Sequence, residues 1–263
     1  MADEARLQAR VQAMAEWMLG ARQRRLPYRN LPDALRPASI AQAYAAQEAY
    51  YRLAEPTYGP VAGAKIATTT KVMQRLMGID HPCGGAIFSR TIHQSPATLR
   101  AADFVNLRIE SEIALKLGAD LPASGAPWTR QTVAPRGRFG AAGVRIDRRP
   151  QRGLCDDASV VTDRRELLER RHRHRSAQTR AARCARRHPR PAKLGGKLAG
   201  EGAAEDPCAT LAWVANHVAE RGRDLKADMV VITGSLIATV SIAAGQRAVF
   251  TVEGLGETVM DVV

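Results

Sequence analysis

Two acids separated by one residue carry the clearest chemistry in this chain. Glu110 and Glu112 lie in the stretch 105–117, where Val105, Leu107, Ile109, Ser111, Ile113, Leu115 and Leu117 share one parity and Arg108, Glu110, Glu112 and Lys116 the other. That is the period of a strand with one buried face. Both carboxylates then point the same way, with Cα atoms roughly 6.6 Å apart at about 3.3 Å rise per residue. They are close enough to lean onto one hard divalent cation. An ordinary solvated strand face has the same pattern, so the pair alone does not decide between the two. Lys65 stands alone among small and β-branched residues in 61–70, where a snorkelling surface lysine reads the same as a functional one. Asp80 and His81 fall in a loop rich in turn formers, 78–85, where Asp80 suits an Asx-turn.

The elements that must position these residues follow from periodicity. Leu7, Val11, Met14, Trp17 and Met18 recur at three- and four-residue spacing, which predicts a helix from Ala5 to about Arg22. After Pro27, Pro32 and Pro37, Ser39 is placed to cap a second helix through Ile40, Ala43, Tyr44 and Tyr51 to about Ala54. These two form an N-terminal helical lobe, 1–58. The remainder, 59–263, reads as a β-rich catalytic domain. A strand enters at 61–70, a helix runs from Lys71 to Met77, and a short strand covers 86–88. Beyond 193 the pattern predicts a helix over 209–219, a buried strand over 229–233 turning at Thr233-Gly234-Ser235, and a final strand pair, 248–252 and 258–263. Strands separated by glycine turns suggest a mixed or antiparallel sheet and not a doubly wound parallel one.

Composition narrows the function classes. No run approaches the length of apolar sequence that spans a bilayer, and the acidic start, Met1-Ala2-Asp3-Glu4, does not read as a secretory signal. Cys83, Cys155, Cys184 and Cys208 form no C-x-x-C pair, which argues against a zinc knuckle and a disulfide framework and fits a cytoplasmic protein. The net charge of +13 invites a nucleic-acid reading. Yet residues 135–193 hold 18 basic against 6 acidic residues and account for nearly all of it. Phe139 is the only aromatic in that stretch, so platforms for stacking bases are nearly absent. His172, His174 and His188 could be read as a metal cluster, but the arginines flanking them would repel a cation. Taken literally, 135–193 can bury little apolar surface and should be partly disordered.

Taken in order, G-A-K-I-A-T-T-T-K-V-M-Q-R-L-M-G-I-D-H-P (63–82), R-I-E-S-E-I-A (108–114), L-A-W-V-A-N-H (211–217), I-T-G-S-L (232–236) and V-E-G-L-G-E (252–257) resemble the 2-keto-4-pentenoate hydratase and 4-oxalocrotonate decarboxylase family of the fumarylacetoacetate hydrolase superfamily. The resemblance covers 1–134 and about 195–263. It implies an α+β fold with a mixed β-roll core, an Mg2+ or Mn2+ cofactor, a 2-keto or 2-hydroxydienoate substrate from aromatic catabolism, and a homo-oligomer. It also assigns roles: Glu110 and Glu112 as metal-binding carboxylates, Lys65 as the active-site lysine, Asp80 as the loop acid, and Thr233 and Gly234 as substrate-binding positions. The implied activity is hydration of a 2-hydroxy-2,4-dienoate, with decarboxylation of a 2-oxo acid as the alternative. From another class, a basic nucleic-acid-binding protein or an inactive family member fits the Arg-rich stretch.

The chain departs from that family where a third carboxylate ligand belongs, in a strand resembling P-A-F-E-L-x-D, and again at a later D-N-x-x-x-x-G segment. Residues 142–150 can be back-translated so that reading one base later gives P-A-F-E-L-I-D-D-R. Residues 166–175 can likewise encode N-C-W-N-A-G-I-V-I-G. A frame-shifted middle segment accounts for both.

Overall fold

The computed structural model describes residues 2–27, 29–147, 159–162, 189–194, 197–203, 206–252 and 255–263. Helix α1, Ala2–Gln23, buries Val11, Met14, Ala15 and Met18, while Leu7 at the start of the expected stripe stays exposed. It packs on α2, Ile40–Tyr58, which Ser39 caps by accepting a hydrogen bond from the Gln42 N–H. Tyr50, Tyr51 and Ala54 of α2 share a core with Val11, Ala15 and Met18 of α1. That core reaches Ala86 and Phe88 of strand β2, Cys83–Phe88, so the helices seat on one edge of the sheet.

The rest is a β-roll of two mixed sheets, the α+β class expected. Strand β1, Val61–Ala67, pairs antiparallel with β2 and parallel with β10, Val230–Ser235. Next comes β5, Arg108–Leu117, antiparallel to β10 on one side and to β6, Gly137–Asp147, on the other. Strands β7 (Ser159–Thr162) and β3 (Ile92–Gln94) complete this sheet, and β11 (Val240–Ser241) pairs with β5. The second sheet runs β4 (Ala97–Leu99), β13 (Gly256–Val262), β12 (Arg247–Val252), β8 (Pro189–Leu194) and β9 (Lys197–Ala203). Short helices α3, Lys71–Met77, and α4, Arg130–Val133, join the strands. Helix α5, Pro207–Ala219, is capped by Asp206 and lies on the roll with Leu211, Val214, Ala215 and Val218 buried. The main core joins these residues to Leu115, Val144, Ile146, Val231, Phe250 and Met260 from both sheets.

Three expectations change. Strand β5 has both parities covered, because Ile109, Ile113 and Leu115 face the main core while Ala114 packs in a second cluster with Ile87, Val230 and Ile232, and Glu110 and Glu112 are buried. The first part of the Arg-rich stretch forms β6 and pairs with β5 along its whole length, burying Ala142, Val144 and Ile146. Their period of two is a strand signal that the arginine count hides. Cys208 is disulfide-bonded, since spacing along a sequence does not bound distance in the fold. His172, His174, His188, Glu253, Gly254 and the 166–175 segment lie outside the described residues. Among the described residues no helix is long and apolar enough to cross a membrane.

Candidate active site

Sheet register builds the site. Lys65 of β1 is paired with Ile232 of β10, and Ser235, at the end of β10, is paired with Glu112 of β5. On the far side of β5, Glu110 is paired with Arg145 of β6. Ile232 is in turn paired with Ala114, two residues from Glu112 on β5, and adjacent strands lie about 4.8 Å apart, so the chain brings Lys65, the acid pair and Arg145 into one region of the sheet.

Each carboxylate has defined partners. Gly234 donates its N–H to Glu112 Oε2 at 2.7 Å. The backbone there has φ +96°, the left-handed region open to glycine at little cost. Thr239 donates its hydroxyl to Glu110 Oε1 at 2.8 Å. Arg145 lies against the remaining oxygens, with Nη2 2.5 Å from Glu110 Oε2 and Nη1 3.4 Å from Glu112 Oε1. The second distance is an ion pair too long for a good hydrogen bond, and Glu112 Oε1 accepts none. Glu112 is wholly buried, whereas the Glu110 and Arg145 side chains each keep 11% exposure. Burial pushes the Glu112 carboxyl up to about 7; Arg145, the Gly234 N–H and Lys65 pull it down, and Glu110 pushes it further up.

Lys65 is buried on β1 and its charge is felt at Glu112. Thr233 is also buried, but its hydroxyl donates to the Ile113 carbonyl at 3.2 Å, so it fastens β10 to β5. Gly234 uses its N–H to hold Glu112. Both therefore shape the acid pair. Asp80 stands apart: its side chain is 97% exposed on the loop after α3, with Oδ1 2.8 Å from His81 Nδ1. That hydrogen bond holds its carboxyl below the usual value. The structure thus gathers Lys65, Glu110, Glu112, Thr233 and Gly234 into one region, and Asp80 does not pair with any of them.

Arg145 and Thr239 were not singled out by residue type and spacing. Thr239 left no pattern to read. Arg145 did leave a signal, because the glutamate of the shifted-frame P-A-F-E falls at position 145.

A second charged group borders Lys65. His217 of α5 stacks on Trp213 at 4.6 Å between ring centroids and meets Tyr44 edge-on at 4.8 Å. The Arg221 guanidinium lies 3.8 Å over the Tyr44 ring, and Arg223 pairs with Glu48 at 3.3 Å. Lys65, Gln47, Glu48, His217 and Arg221 line one pocket. A Cβ on Gly84, also in that lining, would come within 2.2 Å of the imidazole, so glycine there admits the ring. Burial pushes His217 down to about 3, and Arg221, Arg223 and His81 add to the effect.

As a metal centre the donor set is incomplete. Among the described residues no group of three His, Cys, Asp or Glu is placed to hold an ion. The two glutamates offer hard oxygens, but a guanidinium lies against both, and it donates hydrogen bonds without ligating a cation. These residues do not fit a firmly held divalent ion.

No family model matches the chain. It is 28% identical to a 2-hydroxyhexa-2,4-dienoate hydratase of Comamonas testosteroni over 225 residues, covering 83% of this chain and 84% of that protein. It is 26% identical to a 2-keto-4-pentenoate hydratase of Paraburkholderia phymatum over 258 residues, covering 94% and 95%. Its fold is similar to the solved 4-oxalocrotonate decarboxylase of Pseudomonas putida G7, complexed with magnesium and adipate. That match has a TM-score of 0.80 and 20% identity over 97% of this chain and 98% of the other.

Proposed function

Because the chain belongs to the fumarylacetoacetate hydrolase superfamily, with the 2-keto-4-pentenoate hydratases and 4-oxalocrotonate decarboxylases, we propose that it is a hydro-lyase acting on a 2-hydroxy-2,4-dienoate. One observation carries this reading. Three of the motifs that bear the resemblance, G-A-K, I-E-S-E and I-T-G-S, meet in space as Lys65, the Glu110–Glu112 pair and the Gly234 turn.

The reaction asks for modest tools. Loss of the 2-hydroxyl proton, with protonation of the dienol at its terminal carbon C5, gives a conjugated 2-keto acid. Water then adds across the remaining double bond, its oxygen bonding to C4 and a proton reaching C3. Both steps pass negative charge to the C2 oxygen, and fixed positive charge beside that oxygen lowers the barrier. Lys65 is one such charge, close enough to the acid pair to be felt at Glu112. Glu110, Arg145 and Lys65 each keep slight contact with solvent, and Glu112 keeps none, so the first three form the substrate-facing edge of the site. Glu112, with its carboxyl near 7, is poised to hold or release a proton near neutral pH. Asp80, kept ionised by His81, is a base available from the loop.

The cofactor implied for the family is Mg2+ or Mn2+, and the decarboxylase of similar fold carries magnesium. Such an ion would supply a Lewis acid at the substrate's C2 oxygen. Among the described residues of this region Glu110 and Glu112 alone could ligate it, so the proposal includes the shifted-frame reading of the middle segment. The pairing of β6 with β5 supports it, because the glutamate of P-A-F-E falls at 145, opposite Glu110. Sequencing the gene across codons 135–193 tests this part. A single open frame encoding P-A-F-E-L and N-C-W-N-A-G supports it, and bases that confirm the arginine frame refute it.

The activity test follows the loss of dienol absorbance with 2-hydroxypenta-2,4-dienoate, identifies the 4-hydroxy-2-keto product by NMR, and runs with and without Mg2+. The expected result is hydration. CO2 release from a 2-oxo-3-hexenedioate, with no hydration, would instead favour the decarboxylase, the reading that the structural likeness suggests. No turnover of either compound, by this chain or by Arg145→Glu with Mg2+, would overturn the lyase reading.

A further inference from the structure

We infer that the Arg145 guanidinium occupies the cation position of the Glu110–Glu112 pair, so that the site is neutralised from within the chain and excludes divalent metal. The inference rests on the geometry of the chain with arginine at 145, is the alternative to the shifted-frame reading that puts glutamate there, and holds whatever reaction the protein performs.

Glu110 and Glu112 share one face of β5, and β6 pairs alongside β5 with residue 145 directly opposite Glu110. The guanidinium contacts one oxygen of each carboxylate, at 2.5 and 3.4 Å. The other two oxygens accept hydrogen bonds from Thr239 and Gly234. A metal ion bridging the two acids would need the oxygens that Arg145 now faces. A side chain only 11% exposed and held between two acids cannot leave without stranding buried charge. The backbone nevertheless brings position 145 to where a third carboxylate would converge with the other two. One substitution, Arg145→Glu, should therefore convert the internal ion pair into three converging carboxylates with the hard-oxygen chemistry of an Mg2+ or Mn2+ site.

The test is Mn2+ binding, read by the loss of the free-ion EPR signal on titration, with thermal melting of each variant as the folding control. The native chain should bind Mn2+ negligibly below millimolar concentration. Arg145→Glu should bind on the order of 100-fold more tightly or better, and Arg145→Glu/Glu112→Gln should lose most of that gain. If three unneutralised carboxylates prevent Arg145→Glu from folding without metal, its melting temperature should rise steeply with Mn2+. Arg145→Ala gives an independent arm. There, Mn2+ and added guanidinium ion should compete, with affinity for Mn2+ falling as millimolar guanidinium chloride replaces sodium chloride at constant ionic strength. The inference is overturned if the native chain binds Mn2+ as tightly as Arg145→Glu, or if Arg145→Glu neither binds the ion nor is stabilised by it. It is also overturned if guanidinium leaves Mn2+ binding to Arg145→Ala unchanged. None of these readings depends on turnover, so failure of the lyase proposal and failure of this one are separable.

Discussion

Two charged clusters lie near Lys65, one on strands and one on a helix, and they solve the burial of charge in opposite ways. On the strands, Glu110 and Glu112 are held by an Arg145 guanidinium and a backbone N–H, both placed by strand pairing, and by a threonine hydroxyl from the loop before β11. On α5, His217 is surrounded by Trp213, Tyr44, Arg221 and Arg223. Hydrogen bonding and ion pairing dominate the first, ring packing the second. Burial outweighs the opposing positive charges at Glu112 and is reinforced by them at His217, so each site favours the neutral form of its central group. For an acid and a base that produces opposite dependences on pH.

The signs follow from proton counts. Glu112 titrates near 7 in the folded chain, against an ordinary value of 4.5. Between those values the folded chain keeps a proton that the unfolded chain has lost, so stability falls as pH rises through the window. His217 titrates near 3, against 6.5. Between those values the unfolded chain binds a proton that the folded chain refuses, so stability falls as pH drops. From 4.5 to 6.5 the two slopes oppose each other, each about 1.4 kcal/mol per pH unit at most.

The largest break of the comparison is Arg145→Ala. It leaves two buried carboxylates without their shared cation, a change that costs about 3–5 kcal/mol and lowers the melting temperature by on the order of 10 °C. Scanning calorimetry should show a greater loss at pH 8 than at pH 5, because protonating Glu112 relieves the repulsion. In the helix cluster, Arg223→Ala removes an ion pair whose side chains are 31% and 21% exposed. A loss of about 1 kcal/mol or less is expected there. Equal losses in the two variants would mean that Arg145 is not clamped between the acids.

Next in size is Glu112→Gln. The amide oxygen still accepts from the Gly234 N–H, while the titration disappears. The melting temperature should then climb between pH 4.5 and 6.5 by about 2–4 °C per unit, the His217 slope left unopposed. His217→Asn should show the converse, a fall over the same range, together with a loss of about 1 kcal/mol of ring contact with Trp213 and Tyr44. Native-like pH profiles in both variants would remove the physical basis of the contrast.

The clusters also differ in how readable they were. Glu110, Glu112 and Lys65 stood out because a strand's period of two puts alternate residues on one face, and that period survives in the sequence. Ser39 and the helix it caps were legible for the same local reason. What escaped was set by pairing across the sheet. That Arg145 faces Glu110 depends on the β5–β6 register, and an arginine among 18 basic residues in 135–193 draws no attention by type. Arg221 follows His217 by four residues, just past the end of α5, but their aromatic partner Tyr44 comes from α2, far away in sequence. Asp80, assigned through resemblance, keeps its side chain in solvent, because loop position does not fix where a side chain points.

Thr239→Val is the smallest and most discriminating change. It keeps the side-chain volume and removes the one hydroxyl that donates to Glu110 Oε1, so the expected loss is about 1–2 kcal/mol, the range for a hydrogen bond to a charged acceptor. If Arg145 is the chief neutraliser of the acid pair, Glu110 loses an orienting donor and keeps its counter-charge. Stability should then fall by a similar amount at pH 5 and pH 8. If the hydroxyl instead carried much of the neutralisation, the loss would grow as pH rises and Glu112 ionises beside a less compensated Glu110. Melting curves of Thr239→Val at the two pH values separate these cases: a uniform drop leaves Arg145 as the cation of the strand cluster, and a pH-dependent drop shifts that role toward the neutral donors.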